Sequence, residues 1–563
     1  MRNLNRRDLM AGLACSGMAV SSGAKLLRTS RQSGSPGGAE TFIDILRVPD
    51  FAYVFSGLDQ CMQAGRSGEH WTCAGLRVTT APQQDRLEIH LAATHGRPTH
   101  VHLRWSASVQ PGLVVLNDAW ERSYGDLQWQ SLAAERVLPW YFLTADRESL
   151  HGYGVRTGGA ALCFWQIDPE GISLWLNVSN GGSGVELGDR ELHAATVVTR
   201  QGRRGESALD AARSFCRRMC GSPRPAATIY GSNDWYYAYG RNTADQIVKD
   251  AEQMASLAPA RAPRPFTVID DGWKNKQAYP DMGALAAKIR TCEVRPGLWV
   301  RPLQAEAGTP ANLLLPEARF GEHTKRKADL AFDPTIPEAL ERVLAKIRQA
   351  TEWGYELIKH DYSTFDLLGQ WGFEMHAQPT LPNWAFHDRT RTTAEIVGGL
   401  YQGIRHAAGD RTLLIGCNTI GHLGAGVFDA QRTGDDVSGK RWERTRRMGV
   451  NTLAFRMPQH GAFFALDADC VPITTDIRWE CTRQWLDLVA RSGTVLMVSP
   501  EPAAMGMEQR DALRAAFAMT TSGSETVMAD WQDNTTPDHW QFQPAAEKSY
   551  DWYGDTGAWP FGI

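Results

Sequence analysis

The sequence predicts a multidomain α/β protein, an N-terminal antiparallel β-sandwich followed by a (β/α)8 TIM barrel. Three observations carry this expectation. Residues 41–205 contain apolar/polar alternations of period two, such as Leu87-Glu88-Ile89-His90-Leu91, Val101-His102-Leu103-Arg104-Trp105 and Ile172-Ser173-Leu174-Trp175-Leu176. Residues 228–522 instead alternate short apolar runs with segments of helical period, about eight strand-like runs in all, the number a (β/α)8 barrel requires. Several of these runs end in a carboxylate, at the rim where such barrels place their chemistry.

Bulk composition narrows the function classes. A chain of 563 residues has room for roughly two to four domains. Its 43% hydrophobic and 22% charged content is that of a soluble globular protein. The net charge of -4 gives no basic excess, so nothing suggests a nucleic-acid partner. Ten cysteines show no paired metal spacing; Cys216-Arg217-Arg218-Met219-Cys220 is a lone i,i+4 pair on a helical segment. His360 and His460 likewise lack ligand spacing, so no metal site is expected. Twenty tryptophans suit sugar rings as well as cores.

The elements follow in chain order. Residues 1–40 read as a twin-arginine export signal and linker. Asn5-Arg6-Arg7-Asp8-Leu9-Met10 precedes a short, mildly apolar run, and a Ser-, Gly- and Arg-rich stretch follows. A periplasmic or secreted protein is expected, with no membrane attachment once the signal is removed. Residues 41–205 form the sandwich. Residues 206–227 supply a connecting helix, with Leu209, Ala212 and Phe215 on one side, closed by Pro223-Arg224-Pro225.

In the barrel, residues 228–522, the helix from Pro337 to Glu352 shows the logic. Proline is tolerated at a first helical turn, Leu340, Val343, Leu344 and Ile347 repeat at helical spacing, and Gly354 stops the helix. Other strand expectations are Thr228–Tyr230, Phe266–Ile269, Gly297–Val300, Tyr355–Lys359, Leu413–Gly416, Asn451–Phe455 and Val495–Ser499. Residues 523–563 hold Trp531, Trp540, Trp552 and Trp559 with little periodicity and read as a tail packing on the barrel, with no evident β-sheet domain.

Four strings fall at expected strand ends. They are Tyr230-Gly231-Ser232-Asn233-Asp234-Trp235, Ile269-Asp270-Asp271-Gly272-Trp273, Ile358-Lys359-His360-Asp361 and Arg432-Thr433-Gly434-Asp435-Asp436. Glycoside hydrolysis needs two carboxyl groups flanking one bond, about 5–5.5 Å apart when configuration is retained. Acids on strands four and six start from backbones roughly twice the ~4.8 Å strand spacing apart, a gap that inward side chains close. Lys359 shares a strand face with Asp361 and favours its ionised form. Asp435 beside Asp436 is expected to raise one of their pKa values, as an acid catalyst requires, without deciding which Asp donates.

In order and at barrel spacing, these strings resemble the melibiase-like α-galactosidases of glycoside hydrolase clan D, especially family 36. Pro296-Gly297-Leu298-Trp299 and Ser492-Gly493-Thr494-Val495 resemble further clan segments. The resemblance implies Asp361 as nucleophile and Asp436 as general acid/base. It implies Asp270 and Asp271 on the sugar's 4- and 6-hydroxyls, Trp235 and Trp299 beside the ring, and Lys359 and Arg432 near the reacting carbon. Asn418 falls where the clan reads the 2-substituent. Asp467-Ala468-Asp469-Cys470 either lines the pocket or satisfies loop amides, and Asp118-Ala119-Trp120-Glu121-Arg122 either reaches over the barrel mouth or forms a structural salt bridge. Tyr362-Ser363 and Asn418-Thr419-Ile420-Gly421-His422-Leu423 depart from the family pattern and leave the sugar open.

The expected activity is that of an exported, retaining α-galactosidase-like glycosidase acting on an oligosaccharide or polysaccharide. It needs no cofactor, because two carboxyls supply the proton inventory. The rivals are a transglycosylase on the same scaffold and an inactive carbohydrate-binding protein. Oligomeric state is not readable from the chain.

Overall fold

Residues 41–57, 60–146, 148–224, 228–260, 263–322, 329–522, 525–528, 530–543 and 546–560 are described by a computed structural model. The expected twin-arginine signal, within residues 1–40, lies outside them. Period-two alternation does what its pattern demands. Leu87, Ile89, Leu91 and Ala93 are buried and the residues between them are not, so the run Leu87–Ala93 lies as a strand with one face on the core.

Two antiparallel sheets follow from such runs. One has six strands, in the order Leu138–Pro139, Leu162–Asp168, Gly171–Asn177, His100–Ser106, Phe51–Phe55 and Cys61–Gln63. The other has nine, from Gly65–Ser67 through the central Leu87–Ala93 and Glu191–Arg200 to Gln130–Ser131. Trp105, Trp140 and Trp165 are fully buried and belong to one continuous core. The helix Ala208–Met219 starts at Ser207, whose side chain accepts a hydrogen bond from the Asp210 amide. It lies against the second sheet so closely that a Cβ on Gly152 would sit 2.5 Å from the Phe215 ring.

Beyond this helix the sheet becomes parallel. Its nine strands, in sheet order, are Ala465–Asp467, Ala430–Arg432, Leu413–Gly416, Leu357–His360, Arg295–Val300, Phe266–Ile269, Tyr230–Asn233, Leu496–Pro500 and Val471–Ile473. The sheet is curled, and an isolated parallel bridge pairs Asp467 with Val495. The helices Ala244–Leu257, Met282–Thr291, Pro337–Glu352, Thr393–Ala408 and Trp479–Ser492 connect the strands. The Pro337 helix runs over the expected residues, burying Val343 and Ile347.

Three expectations are corrected. The run Asn451–Phe455 is helical, not a strand: a π-helical turn Arg446–Asn451 continues into the helix Thr452–Arg456. Short apolar runs fit either period, and here packing decides, because Gly449 lets the turn press on the Trp485 ring, 2.7 Å from where a Cβ would stand. The sheet has nine strands rather than eight, because Ala465–Ile473 breaks in two around Asp469, which adopts a left-handed φ of 69°. The tail is not free of sheet: Glu525–Met528, His539–Gln543 and Ala546–Ser549 form three antiparallel strands. Trp531, Trp540 and Trp552 are buried there, while Trp559 is exposed. Trp531 meets Trp129 edge-on at 5.5 Å, and the Tyr550 hydroxyl donates to Asp487 at 2.9 Å. Among the described residues no helix is long and apolar enough to cross a membrane.

Candidate active site

The parallel strands deliver their polar side chains by one rule. Residues two apart on a strand share a face, and a separate apolar cluster collects one face of the curled sheet. Phe266 and Val268 lie in it, and the next step of two is Asp270. Leu357 leads likewise to Lys359 and Asp361, Ile415 to Cys417, Ala430 to Arg432, and Ala465 to Asp467. The Asp361 amide donates to Val300 O at 3.0 Å and the Cys417 amide to His360 O at 2.8 Å, so the ladder persists to these positions.

Asp361 is buried and fully oriented. Its Oδ1 accepts the Tyr362 amide at 2.7 Å and the Asn418 amide at 3.1 Å, and its Oδ2 accepts the Trp299 indole N–H at 2.9 Å. Tyr362 takes a left-handed φ of 65° and sends its ring edge-on toward Trp299. Burial, and then the charge of Asp361, push its phenol up to about 12.

Lys359 serves a different carboxylate from the one expected. Its ammonium donates to Asp270 Oδ2 at 2.8 Å rather than to Asp361. Burial is the largest single effect and opposes its charge, but Asp270 together with Cys417 and Asp469 holds its pKa well above the usual lysine value. Asn233 also donates to Asp270, at 2.8 Å. Asp271, one residue on, is exposed at the rim and accepts its neighbour's amide, from Gly272 at 2.8 Å. Trp235 is half-buried, with its ring edge-on to Tyr239 at 5.6 Å.

Arg432, buried to 1% side-chain exposure, joins three elements. It donates to Cys417 Sγ at 3.3 Å, to Asp436 Oδ1 at 3.2 Å and to Asp469 Oδ2 at 2.7 Å. Asp469 also accepts the Val437 amide at 3.0 Å, the Cys470 amide at 2.8 Å and the Tyr236 hydroxyl. Of the two roles open to Asp467 and Asp469, satisfying loop amides is therefore the one seen. Burial raises Asp467 to about 6, against the pull of Arg432.

The two adjacent acids are not equivalent. Asp435 is clamped, its Oδ1 by Arg122 at 2.8 Å and its Oδ2 by Arg444 at 2.8 Å. Asp436 keeps 44% of its side chain exposed against 21% for Asp435, and it meets Arg432 at 3.2 Å and Arg122 at 3.7 Å. Burial works to raise the Asp436 pKa, yet Arg432, Arg122 and Lys359 together hold it below the usual carboxylate range. Asp436 is therefore not an acid whose pKa is raised, because the cations around it together prevail over burial.

Arg122 arrives from the β-rich region. Ser123 forms a parallel bridge with Gly434, its amide donating to Thr433 O at 3.0 Å and its carbonyl accepting from Asp435 at 2.9 Å. Ser123 thereby pairs with the chain just beyond the strand Ala430–Arg432. Both readings of this segment are realised: Asp118 pairs with Arg456 at 2.8 Å, while Arg122 reaches the acids. Glu121 is buried; burial raises its pKa against the opposing charge of Arg122. It accepts hydrogen bonds from Asn418, Tyr124 and the Gly372 amide. Asn418 is consequently engaged on both sides, its Oδ1 accepting the Phe365 amide at 3.0 Å, and it has no exposed surface. It positions the Asp361 loop instead of presenting its amide to a sugar.

Asn233, Glu121 and Cys417 lie in strings the sequence singles out but without a role of their own, and Tyr236 lies just outside them. The step-of-two rule reaches Cys417; the role of Glu121 was not legible, since it depends on Gly372 and Asn418, 251 and 297 positions away in the chain.

A test of the electrostatics follows directly. If Asp436 is a general acid, which works only while protonated, activity should fall as pH rises through its lowered pKa. Arg122→Gln removes one of the cations and should move the alkaline limb of kcat/KM to higher pH, while Arg122→Lys should keep it near its original position. An unmoved limb in Arg122→Gln would show that Asp436 is not the group that titrates.

No family model matches the chain, and no curated protein does. Solved structures do. The α-galactosidase TtGalA from Thermus thermophilus, seen in complex with p-nitrophenyl α-D-galactopyranoside, is similar over 89% of this chain and 99% of its own, with a TM-score of 0.57 at 15% identity. The family 36 α-galactosidase AgaB from Geobacillus stearothermophilus covers 88% of this chain and 76% of its own, with a TM-score of 0.56 at 11% identity. The chain has the fold of the family 36 α-galactosidases. The galactosidase domain of AgaSK, an α-galactosidase-sucrose kinase, shares the fold over 82% of this chain and 68% of its own, at a TM-score of 0.52 and 15% identity. The family 36 fold spans the antiparallel sheets and the parallel sheet together.

Proposed function

We infer that this chain is an exported, retaining α-glycosidase of α-galactosidase-like specificity, built on a (β/α)8 barrel. The observation that carries the reading is the shared surroundings of Asp361 and Asp436. One loop, Cys417-Asn418, gives its Asn418 amide to Asp361 and its Cys417 sulfur to the Arg432 that holds Asp436. Both Asp361 Oδ1 lone pairs are committed, whereas Oδ2 takes one donor, which leaves Oδ2 able to attack the anomeric carbon.

The mechanism follows from these placements. Asp361 Oδ2 forms a bond to the anomeric carbon as the glycosidic bond breaks, and Asp436 gives its proton to the departing oxygen. Asp436, now ionised, takes a proton from water, and the water oxygen displaces Asp361. Two inversions retain configuration. The Lys359–Asp270 pair presents a donor and an acceptor to sugar hydroxyls, with Trp235 beside them. The cations around Asp436 lower its pKa, so its protonation at the moment of catalysis favours acidic pH. The fold of family 36 α-galactosidases, one of them solved with a p-nitrophenyl α-galactoside, supports galactose as the sugar.

A panel of aryl α- and β-glycosides, followed by NMR, tests the reading. The α-galactoside should be cleaved, with α-galactose as the first-formed anomer. A β-anomer formed first refutes retention, and transfer of the sugar to an added acceptor as the main product makes the chain a transglycosylase.

A further inference from the structure

The six-stranded antiparallel sheet turns one face to the core and carries polar groups at one end of the other. His100 opens the strand His100–Ser106, Asn177 closes the strand Gly171–Asn177, and the register sets the two directly opposite each other. Opposed residues on neighbouring antiparallel strands point to the same side. Val101, Leu103 and Trp105 fill the core, so His100 and Asn177 lie on the outer face.

Residues 378–382, from the chain that follows Asp361, cover this end of the face. The cover is pinned where the Gly182 amide donates to Trp384 O at 2.9 Å; a Cβ on Gly182 would stand 1.8 Å from Leu381 O. Between sheet and cover lies a cavity of about 80 Å³, whose side-chain lining comes chiefly from Thr99, His100, Asn177, Ser179, Gln378 and Thr380. One water needs about 10–15 Å³, and drug-sized sites run to roughly 300–1,000 Å³. The space therefore suits a molecule of a few heavy atoms. It shares Gly57, Thr99 and Gly182 with a wider cleft of about 760 Å³, which gives a way in.

Unpaired polar atoms carry the argument. His100, Asn177 and Thr380 are each more than nine-tenths buried. Among the described residues neither ring nitrogen of His100 has a hydrogen-bond partner, and the Thr380 hydroxyl has none. Asn177 Oδ1 accepts the Ser179 amide at 3.0 Å and the Ser179 hydroxyl, while its Nδ2 donates to no described residue. Buried polar groups are normally paired, and here three side chains around one space are not. Burial lowers the His100 pKa to about 4, so the ring is neutral, with one donor and one acceptor nitrogen. No charged side chain lines the cavity. An ion would find no countercharge there, and an apolar molecule would leave the imidazole, amide and hydroxyl unsatisfied. A compact molecule rich in hydroxyls satisfies all three.

We propose that this cavity binds a small neutral polyol of about glycerol's size, held by His100, Asn177 and Thr380 between the sheet and its covering loop. Binding ties the loop to the sheet. Gln370 Nε2 donates to Gln378 O at 3.1 Å, and the next residue, Trp371, meets Tyr362 at 5.6 Å, so the tied loop also flanks the residue after Asp361. The lining includes neither acid, and the inference does not use the glycosidase reading.

Glycerol is the probe, with 1-propanol as an equal chain carrying one hydroxyl and acetate as a small anion. Saturation-transfer NMR on the whole chain should show saturable glycerol binding, with Kd about millimolar or tighter. Hydrogen-exchange mass spectrometry should show slowed exchange confined to peptides covering residues 97–100, 177–183 and 376–384. Thr380→Val keeps the shape and removes the hydroxyl; His100→Phe keeps a ring and removes both nitrogens. Each should weaken glycerol binding about tenfold. No saturable binding to the wild type, or unchanged affinity in both variants, overturns the proposal. A signal kept in Thr380→Val but lost in Asp361→Gly places glycerol in the catalytic mouth and overturns it as well. Displacement by 1-propanol or by acetate overturns the assignment to a neutral polyol.

Discussion

Asp361→Gly should lower kcat on an activated aryl α-galactoside by a factor on the order of 10⁴ or more, the scale seen when a catalytic nucleophile is deleted. Azide should restore part of that activity. The reason is local. Three N–H donors from Trp299, Tyr362 and Asn418 converge on the Asp361 carboxylate, and they remain when the side chain is removed. They would then surround a space able to hold a small anion. Azide entering from the Asp361 side attacks the anomeric carbon and expels the aryl oxide, giving the β-galactosyl azide. Mass spectrometry and NMR of the product check this. Full activity in the glycine variant, or an α-azide, rules out Asp361 as the nucleophile.

Asp436→Ala should lower kcat by roughly 10³-fold on oligosaccharides and far less on nitrophenyl glycosides, because general acid–base catalysis contributes about 10²–10⁴-fold where the leaving group needs a proton. The competing assignment, Asp435, is testable in the same assay. Both oxygens of Asp435 are held by arginines, and Arg122 is almost fully buried with it. Asp435→Ala should therefore damage stability, by leaving a buried guanidinium short of a partner, while keeping the same ratio between the two substrate classes as wild type. Should Asp435→Ala show the leaving-group dependence instead, the roles of the two acids are exchanged.

Much of this site was legible in the chain because strands have a strict period. Asp270, Lys359, Asp361 and Arg432 each lie two or four residues beyond an apolar residue of the inner cluster, and their strings fall at strand ends. The Pro337 helix was legible for a similar reason, its apolar spacing and terminal signals agreeing. The strand expected at Asn451–Phe455 failed because five apolar-rich residues fit either period, and the contact that settles the matter, Gly449 on Trp485, joins distant segments.

Partnership was less legible than position. Lys359 and Asp361 share a strand face, yet the ammonium turns to Asp270, 89 residues away, because the strand Phe266–Ile269, two places along the sheet, brings that carboxylate within 2.8 Å. Asn418 stands where a sugar ligand was expected, and Glu121 from the β-rich region takes its amide.

From the sequence alone came the α/β plan, the strand-end carboxylates and the order of the motifs, all of them properties of local periodicity and spacing. The tertiary structure decided the charge states and the division of labour. Residues 118–124 are laid beside Thr433–Asp435, and this long-range pairing puts Arg122 between two adjacent acids, clamping Asp435 and leaving Asp436 partly open. Coulomb interactions act over a few ångströms of space and take no account of distance along the chain, so that choice between neighbours became visible only once the β-rich region and the parallel sheet had packed together.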